Sequence, residues 1–409
     1  MDAKTLTVFV VLLLLVGAAW GDTETVLYTF TGGADGGNPI DAGRLVRKGS
    51  NFYGTTANGG QSGCGVIFEL SGSTVTPLYA FHCTRDGANP VGSVIVNEAG
   101  NIYGTTGYGG SNGCGTVFEL SGSTLTTLYS FACGDDGAFP VAGVLRDKAG
   151  NLYGTASSGG VNGGGVAYEI TTAGMFNVLY NFCSTTACAD GQYPEAGLVM
   201  DANGNLYGTT YEGGIAGCYN KAGCGTVFEL SVEKGGGWKE TVLHRFTGEG
   251  DEGAYPNLGA LTVRTQRIGK SRTAVIFGVT FDGGVSGYGT VYELMKAKAG
   301  YALTVLHAFT GSGGDGGWPL GTLFDLSGRL IGTTQVGGSR GYGTVFELKT
   351  GTPGKDYRNW VETVLYSFTN SSDGGYPESG VFADSDGELW GVTSAGGSSG
   401  YGVVYSLEP

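Results

Sequence analysis

Carboxylates at a fixed place in a repeated string are the first residues here whose type suits chemistry. Glu69, Glu119, Glu169, Glu229, Glu293 and Glu347 each stand in a string of the form GTVFEL, and Ser406 takes the place in the last copy. Equivalent acids spread along a chain do not make one catalytic pair. They read as acceptors of hydrogen bonds between strands or between repeats, because a buried carboxylate needs such partners. Asp35, Asp86, Asp136, Asp190, Asp251, Asp315 and Asp373 recur in turns of the form DGxxP and read as Asx-turns that bond their own backbone. A calcium role for them would require several oxygens converging on one ion.

The enzyme search finds little else. His82, His244 and His307 are the only histidines, and the last two replace the Tyr of a repeated LYxF string, which favours packing over catalysis. No nucleophile elbow, phosphate loop or His-rich metal motif occurs, and the Gly-x-Gly strings carry no dinucleotide signal without a following helix. Neither cofactor nor metal is expected. Non-repeated acids are the better candidates for chemistry, and Glu212 with Asp282 is the pair a glycosidase-like mechanism would use. The eight cysteines read as disulfides, Cys64–Cys83 and Cys114–Cys133 at equal spacing, with Cys183–Cys188 and Cys218–Cys224 inside loops. A zinc site is disfavoured because no His stands beside the pairs.

These residues must be positioned by a repeat of about fifty residues, present seven times. Its signals are an aromatic run (LYTF at 27, LYAF at 78, through LYSF at 365), a run of the YGTT type (53, 103, 153, 207, 277, 331, 390) and the FEL run (from GVIFEL at 65 to GVVYSL at 402). A short apolar run such as Leu198 to Met200 precedes each YGTT. Four short β-rich runs separated by turn residues make a propeller blade. Pro39, Pro90, Pro140, Pro194, Pro256, Pro319 and Pro377 mark strand entry, where a missing N–H is tolerated. The expected fold is all-β, a seven-bladed propeller with four antiparallel strands per blade. With the strands lettered A to D outward from the channel, the chain begins at a D strand and ends at a C strand. The strand from Val26 to Phe30 is therefore expected to pair with that from Val403 to Leu407 and close the ring, abolishing exposed edges. A β-solenoid is the alternative, with shorter coils and no shared final unit.

In a propeller the B–C and D–A loops share one face. Here that face carries glycine-rich loops with Tyr108, Tyr211, Glu212, Phe281, Asp282, Tyr288, Trp318, Tyr342 and Tyr401. Aromatics beside polar groups suit stacking on sugar rings or docking of a protein segment. The plainer reading is that they cover the rims of neighbouring blades, and Tyr288, Tyr342 and Tyr401 occupy the place that Cys64 holds in its own repeat. The opposite face takes the longer insertions, among them a basic loop with Arg264, Arg267, Lys270 and Arg272, read as solvated or as a contact for an anionic partner.

The strings LYGTT-xx-GG, GCGTVFEL, LYxF and DGxxP resemble the GloVer tandem repeat of exported bacterial proteins, over essentially the whole chain after the leader. The resemblance implies an extracellular, propeller-like protein, often surface-anchored, in a family without an assigned activity, so it assigns no residue a role. A C-terminal anchoring signal of the kind many members carry is not seen at the end of this sequence.

Bulk properties agree. Glycine is abundant (81 residues) and proline scarce (10), while Tyr (23) and Phe (19) supply ample apolar surface, which excludes collagen and disorder. A formal net charge of −14 disfavours nucleic acid as a partner. Residues 1–21 read as a signal peptide: Lys4, an apolar run from Leu6, then Ala19-Trp20-Gly21 as the cleavage site. The remainder, 22–409, is expected to be one secreted, monomeric domain without membrane insertion. The expected function is recognition of an extracellular glycan or protein without catalysis. The alternatives are a secreted polysaccharide hydrolase or lyase using loop-face carboxylates, and a structural envelope protein.

Overall fold

The computed structural model describes residues 23–40, 44–218, 222–256, 258–268, 271–298, 300–350, 360–384 and 386–408. The expected signal peptide and Lys270 lie outside them. The described residues form seven antiparallel blades of four strands, to one of which Gly316–Pro319 adds a fifth by pairing with Arg329–Gly337. The blade of Val199–Met200 (A), Leu206–Thr210 (B), Thr226–Val232 (C) and Trp238–Arg245 (D) is representative. Its B strand is wholly buried and its D strand alternates, as a ring of packed sheets requires.

Ring closure follows the expected scheme. The last blade takes its outer strand from the N-terminus, Thr23–Thr29, paired with Val403–Glu408 in the register Val26 to Tyr405 and Thr29 to Val403. Phe30, placed in this strand from sequence, follows it and donates its N–H to the Gly402 carbonyl at 3.0 Å. The strand rises three residues earlier than Val26 because the terminal strand of its partner continues to Glu408.

The aromatic strings explain how one blade holds the next. The Phe of LYxF in each blade packs against the aromatic of the FEL run in the following blade, edge-on in all but the tilted pair Phe182–Phe228. Phe81 on Phe118 (5.3 Å), Phe131 on Tyr168 (5.4 Å) and Phe246 on Tyr292 (5.3 Å) are examples, and Phe30 on Phe68 (5.2 Å) carries the contact across the closure. Such pairs contribute roughly 0.5–1.5 kcal/mol beyond the area they bury. The Gly of YGTT is dictated by this packing: a Cβ on Gly104 would stand 2.6 Å from the Phe118 ring, and one on Gly278 2.3 Å from the Tyr292 hydroxyl.

The repeated acids are architectural. Glu119 accepts from Asn101 Nδ2 and the Tyr103 hydroxyl at 2.7 Å each, and Glu229 from the Tyr207 hydroxyl at 3.0 Å. Asp136 accepts from the Tyr129 hydroxyl (2.9 Å) and from the Ala132 N–H (2.7 Å), so the turn aspartates pin the outer strand as well as their own backbone. Asp251 is a correction. The carboxylate at that structural position is Glu252, which accepts from His244 Nε2, the Thr247 hydroxyl and the Thr247 N–H, because the turn carries an extra acid ahead of Gly253. His244 and His307 thus do the work of the Tyr they replace.

All four expected disulfides form: Cys64–Cys83, Cys114–Cys133, Cys183–Cys188 and Cys218–Cys224. They fit an oxidising, non-cytoplasmic environment. In two repeats that lack the cystine, an aromatic and a glycine replace it. Tyr401 lies over Gly32 and Tyr288 over Gly311, where a Cβ would come within 2.6 and 2.4 Å of the ring. Among the described residues no helix is long and apolar enough to cross a membrane.

The basic loop is corrected too. Thr262–Ile268 and Ser271–Thr280 extend as paired strands, with Arg267 opposite Arg272. Arg264 is committed within the fold: its Nε donates to Asp325 at 2.6 Å and its guanidinium lies 4.9 Å over the Phe277 ring.

Candidate functional site

The loop face is assembled by one device repeated in every blade. The residue before each strand-entry proline adopts a left-handed conformation: Asn38, Asn89, Phe139, Tyr193, Tyr255, Trp318 and Tyr376 have φ between 51° and 59°. Bulky residues rarely adopt such angles, and pre-proline positions favour extended ones. The strain is held by two backbone hydrogen bonds. The Tyr255 N–H donates to the Cys224 carbonyl (2.9 Å), and its carbonyl accepts from the Phe281 N–H (3.0 Å). The second Thr of YGTT fixes the neighbouring B–C loop. Thr106, Thr210 and Thr280 hydroxyls donate to the carbonyls of Tyr108 (2.9 Å), Glu212 (2.9 Å) and Asp282 (3.1 Å).

With the backbone so pinned, loop aromatics stack across blade junctions. Tyr211 stacks on Tyr255 (4.9 Å, 29°), Phe281 on Trp318 (5.5 Å, 27°), and Tyr288 on the same Trp318 (5.9 Å). Tyr342 meets Tyr376 edge-on at 5.5 Å, and Tyr108 meets Phe139 at 5.4 Å while staying 54% exposed. These contacts do cover the rims of neighbouring blades. They also leave a run of half-buried rings, Tyr211, Phe281, Tyr288 and Trp318, along adjacent blades.

Acids gather at this run. Gln192 Nε2 donates to Glu212 at 3.0 Å, and the Asp282 carboxylate accepts from the Gly283 N–H at 2.8 Å. Glu195, after Pro194, has its carboxyl pushed up to about 7 by burial and then by the charge of Glu212. The Tyr211 phenol is raised by burial and by the field of Glu195, Tyr255, Glu212 and Asp282, so all three carboxylates act electrostatically on one ring. A cavity of about 390 Å³ opens beside them, lined by Tyr255, Asp282, Gly283, Gly284 and Gly287 with Cys218 and Gly248. A second, of about 470 Å³, is the central channel, walled by A-strand residues such as Ile95, Leu145 and Val199.

The structure thus brings together Tyr211, Glu212, Phe281, Asp282, Tyr288 and Trp318. Tyr342 sits one blade further on, near Gln335, which donates to Glu378 at 2.7 Å. Tyr108 belongs to a distant blade, and Tyr401 is spent on Gly32. Sequence reasoning missed Glu195, Tyr255 and Gln192. The signal for Glu195 was there: the residue after the proline is Ile40, Val91, Val141 or Leu320 in four repeats, and Glu195, Asn257 and Glu378 break that apolar column.

The Gloeobacter/Verrucomicrobia repeat matches residues 17–147, 72–274 and 220–409. No curated protein matches the chain. Among solved structures, an ancestral GH74 enzyme is similar over 91% of this chain and 48% of its own, at 11% identity and a TM-score of 0.54. The Trypanosoma rangeli sialidase in complex with the inhibitor DANA is similar over 95% of this chain and 59% of its own, at 12% identity and a TM-score of 0.45. At such identities the first likeness speaks to the fold alone.

Proposed function

This chain belongs to the Gloeobacter/Verrucomicrobia repeat family, and on that footing we propose that it is an exported recognition module that binds a glycan through its loop face, without catalysis. The observation that carries this reading is the run of stacked rings, Tyr211–Tyr255 and Phe281–Trp318–Tyr288, beside the acceptors Glu212 and Asp282 and the donor amide of Gln192. Apolar ring faces next to a few oriented polar groups match a sugar, which offers C–H faces and hydroxyls together. The gathered acids make neutral glycans the matching class, since an anionic chain would meet like charge. Export accords with the four disulfides and the N-terminal leader.

The test is affinity electrophoresis of residues 22–409 through a panel of neutral and anionic polysaccharides, with assays for reducing ends and unsaturated products in parallel. Retardation by a neutral glycan without product is the expected result. Trp318→Ala and Tyr211→Ala should each weaken it by about ten-fold, equivalent to ~1.4 kcal/mol. Indifference of both variants would remove the loop face from the binding.

One observation favours a second reading, a polysaccharide hydrolase. Burial and the charge of Glu212 push the Glu195 carboxyl up to about 7, the kind of displacement that prepares a carboxyl to act as a general acid. Product release by the native chain, lost in Glu195→Gln with the fold retained, would establish it in place of the first.

A further inference from the structure

At each blade junction the Tyr or His of LYxF in one blade faces a residue of the next outer strand. Tyr129 stacks on Phe176 at 3.9 Å; Tyr180 lies near Glu240 and Tyr366 near Glu24. By position in the repeat, Tyr79 faces Leu125 and His244 faces Leu303. Among the described junctions, one joins an imidazole to an extra acid. His307, on Tyr301–Ala308, meets the turn residue Asp315 of its own blade and Glu362 on Trp360–Ser367 of the next.

We propose that His307, Asp315 and Glu362 form a divalent transition-metal site that clips two blades together. One ligand atom from each lies within 4.8 Å of the other two. His307 Nε2 and Asp315 Oδ1 are 3.2 Å apart, close to the ligand–ligand edge of ~3.3 Å that a tetrahedral ion with ~2.0 Å bonds imposes. Glu362 supplies the third corner with an oxygen to spare: its Oε1 is buried and finds no hydrogen-bond donor. A buried carboxylate oxygen left unpaired is costly, and an ion would satisfy it. Imidazole nitrogen with two carboxylates selects zinc-like ions over calcium, which takes oxygen shells of six or more. Every cysteine is in a disulfide, so no thiolate competes. On binding, His307 presents its Nε2 lone pair as the neutral imidazole, with its one proton on Nδ1.

The experiment is calorimetric titration of the chelator-stripped full chain with Zn²⁺, and its Co²⁺ absorption spectrum. One equivalent is expected, with visible bands of a low-symmetry Co²⁺ site. His307→Tyr installs the residue most blades carry there, and Glu362→Gln keeps the shape, so both should fold and both should lose the stoichiometric site. Glu240→Gln and His244→Tyr, at other junctions, should keep it. Absence of binding to the native chain, survival in both site variants, as adventitious capture by the exposed His82 would give, or loss in the controls would each overturn the proposal.

Discussion

Glu240 lies in an outer strand at a position where four other repeats place Val75, Leu125, Phe176 and Leu303 and two place Glu24 and Glu362, and its Oε1 is buried without a partner. Burial, and then Asp190, push its carboxyl from 4.5 up to about 7, with Arg245 pulling weakly the other way. Such a displacement is worth roughly 3 kcal/mol for a wholly buried group. Glu240 is only partly buried, so water screening reduces this to about 1–2 kcal/mol. The sign follows from proton binding: between 4.5 and 7 the folded chain holds a proton that the unfolded chain has lost, so stability falls as pH rises through that window and is flat above it. Glu240→Leu removes the charge and adds apolar burial of about 1 kcal/mol. The variant should exceed the native chain by about 1 kcal/mol at pH 4.5 and about 2–3 kcal/mol at pH 8. Urea unfolding at both pH values, followed by tryptophan fluorescence and circular dichroism, measures it; coincident transitions license the comparison. A variant less stable than the native chain at pH 8, or a gain equal at both pH values, would refute the reasoning.

The Tyr168, Tyr292 and Tyr405 hydroxyls are fully buried without partners, where other blades carry Phe, so each Tyr→Phe change should stabilise by about 1 kcal/mol, read as a higher urea midpoint. Opening Cys64–Cys83 with two alanines releases a loop of 19 residues and should cost about 3 kcal/mol. Cys64→Tyr with Cys83→Gly, copying Tyr401 over Gly32, should recover part of that, and recovery no better than the alanine pair would contradict the equivalence. Deleting residues 23–30 exposes the edge of Val403–Glu408 and uncovers Phe68. Light scattering should then show association through that edge, and a stable monomer would argue against closure by this strand.

The fold was legible because its determinants are local and repeated. Turn residues, strand-length apolar runs and paired cysteines recur at one period, and each blade contacts mainly its neighbours, so short-range pattern dictates long-range order. Even ring closure followed from the phase of the first and last strings. The misreadings came where a local rule met a neighbour out of register: Asp251 fitted the turn string, yet Glu252 holds the bonding position, and Arg264 looked solvated until Asp325 and Phe277 of the assembled blades were beside it. The candidate sites belong to that second class. Sequence by itself determined the ring, its closure, its disulfides and which face bears aromatics. Only the tertiary structure decided that Glu195, Glu212 and Asp282 share the surroundings of Tyr211, and that His307 meets Glu362. These encounters lie between blades, where side chains distant along the chain are matched by packing, a relation no single repeat encodes.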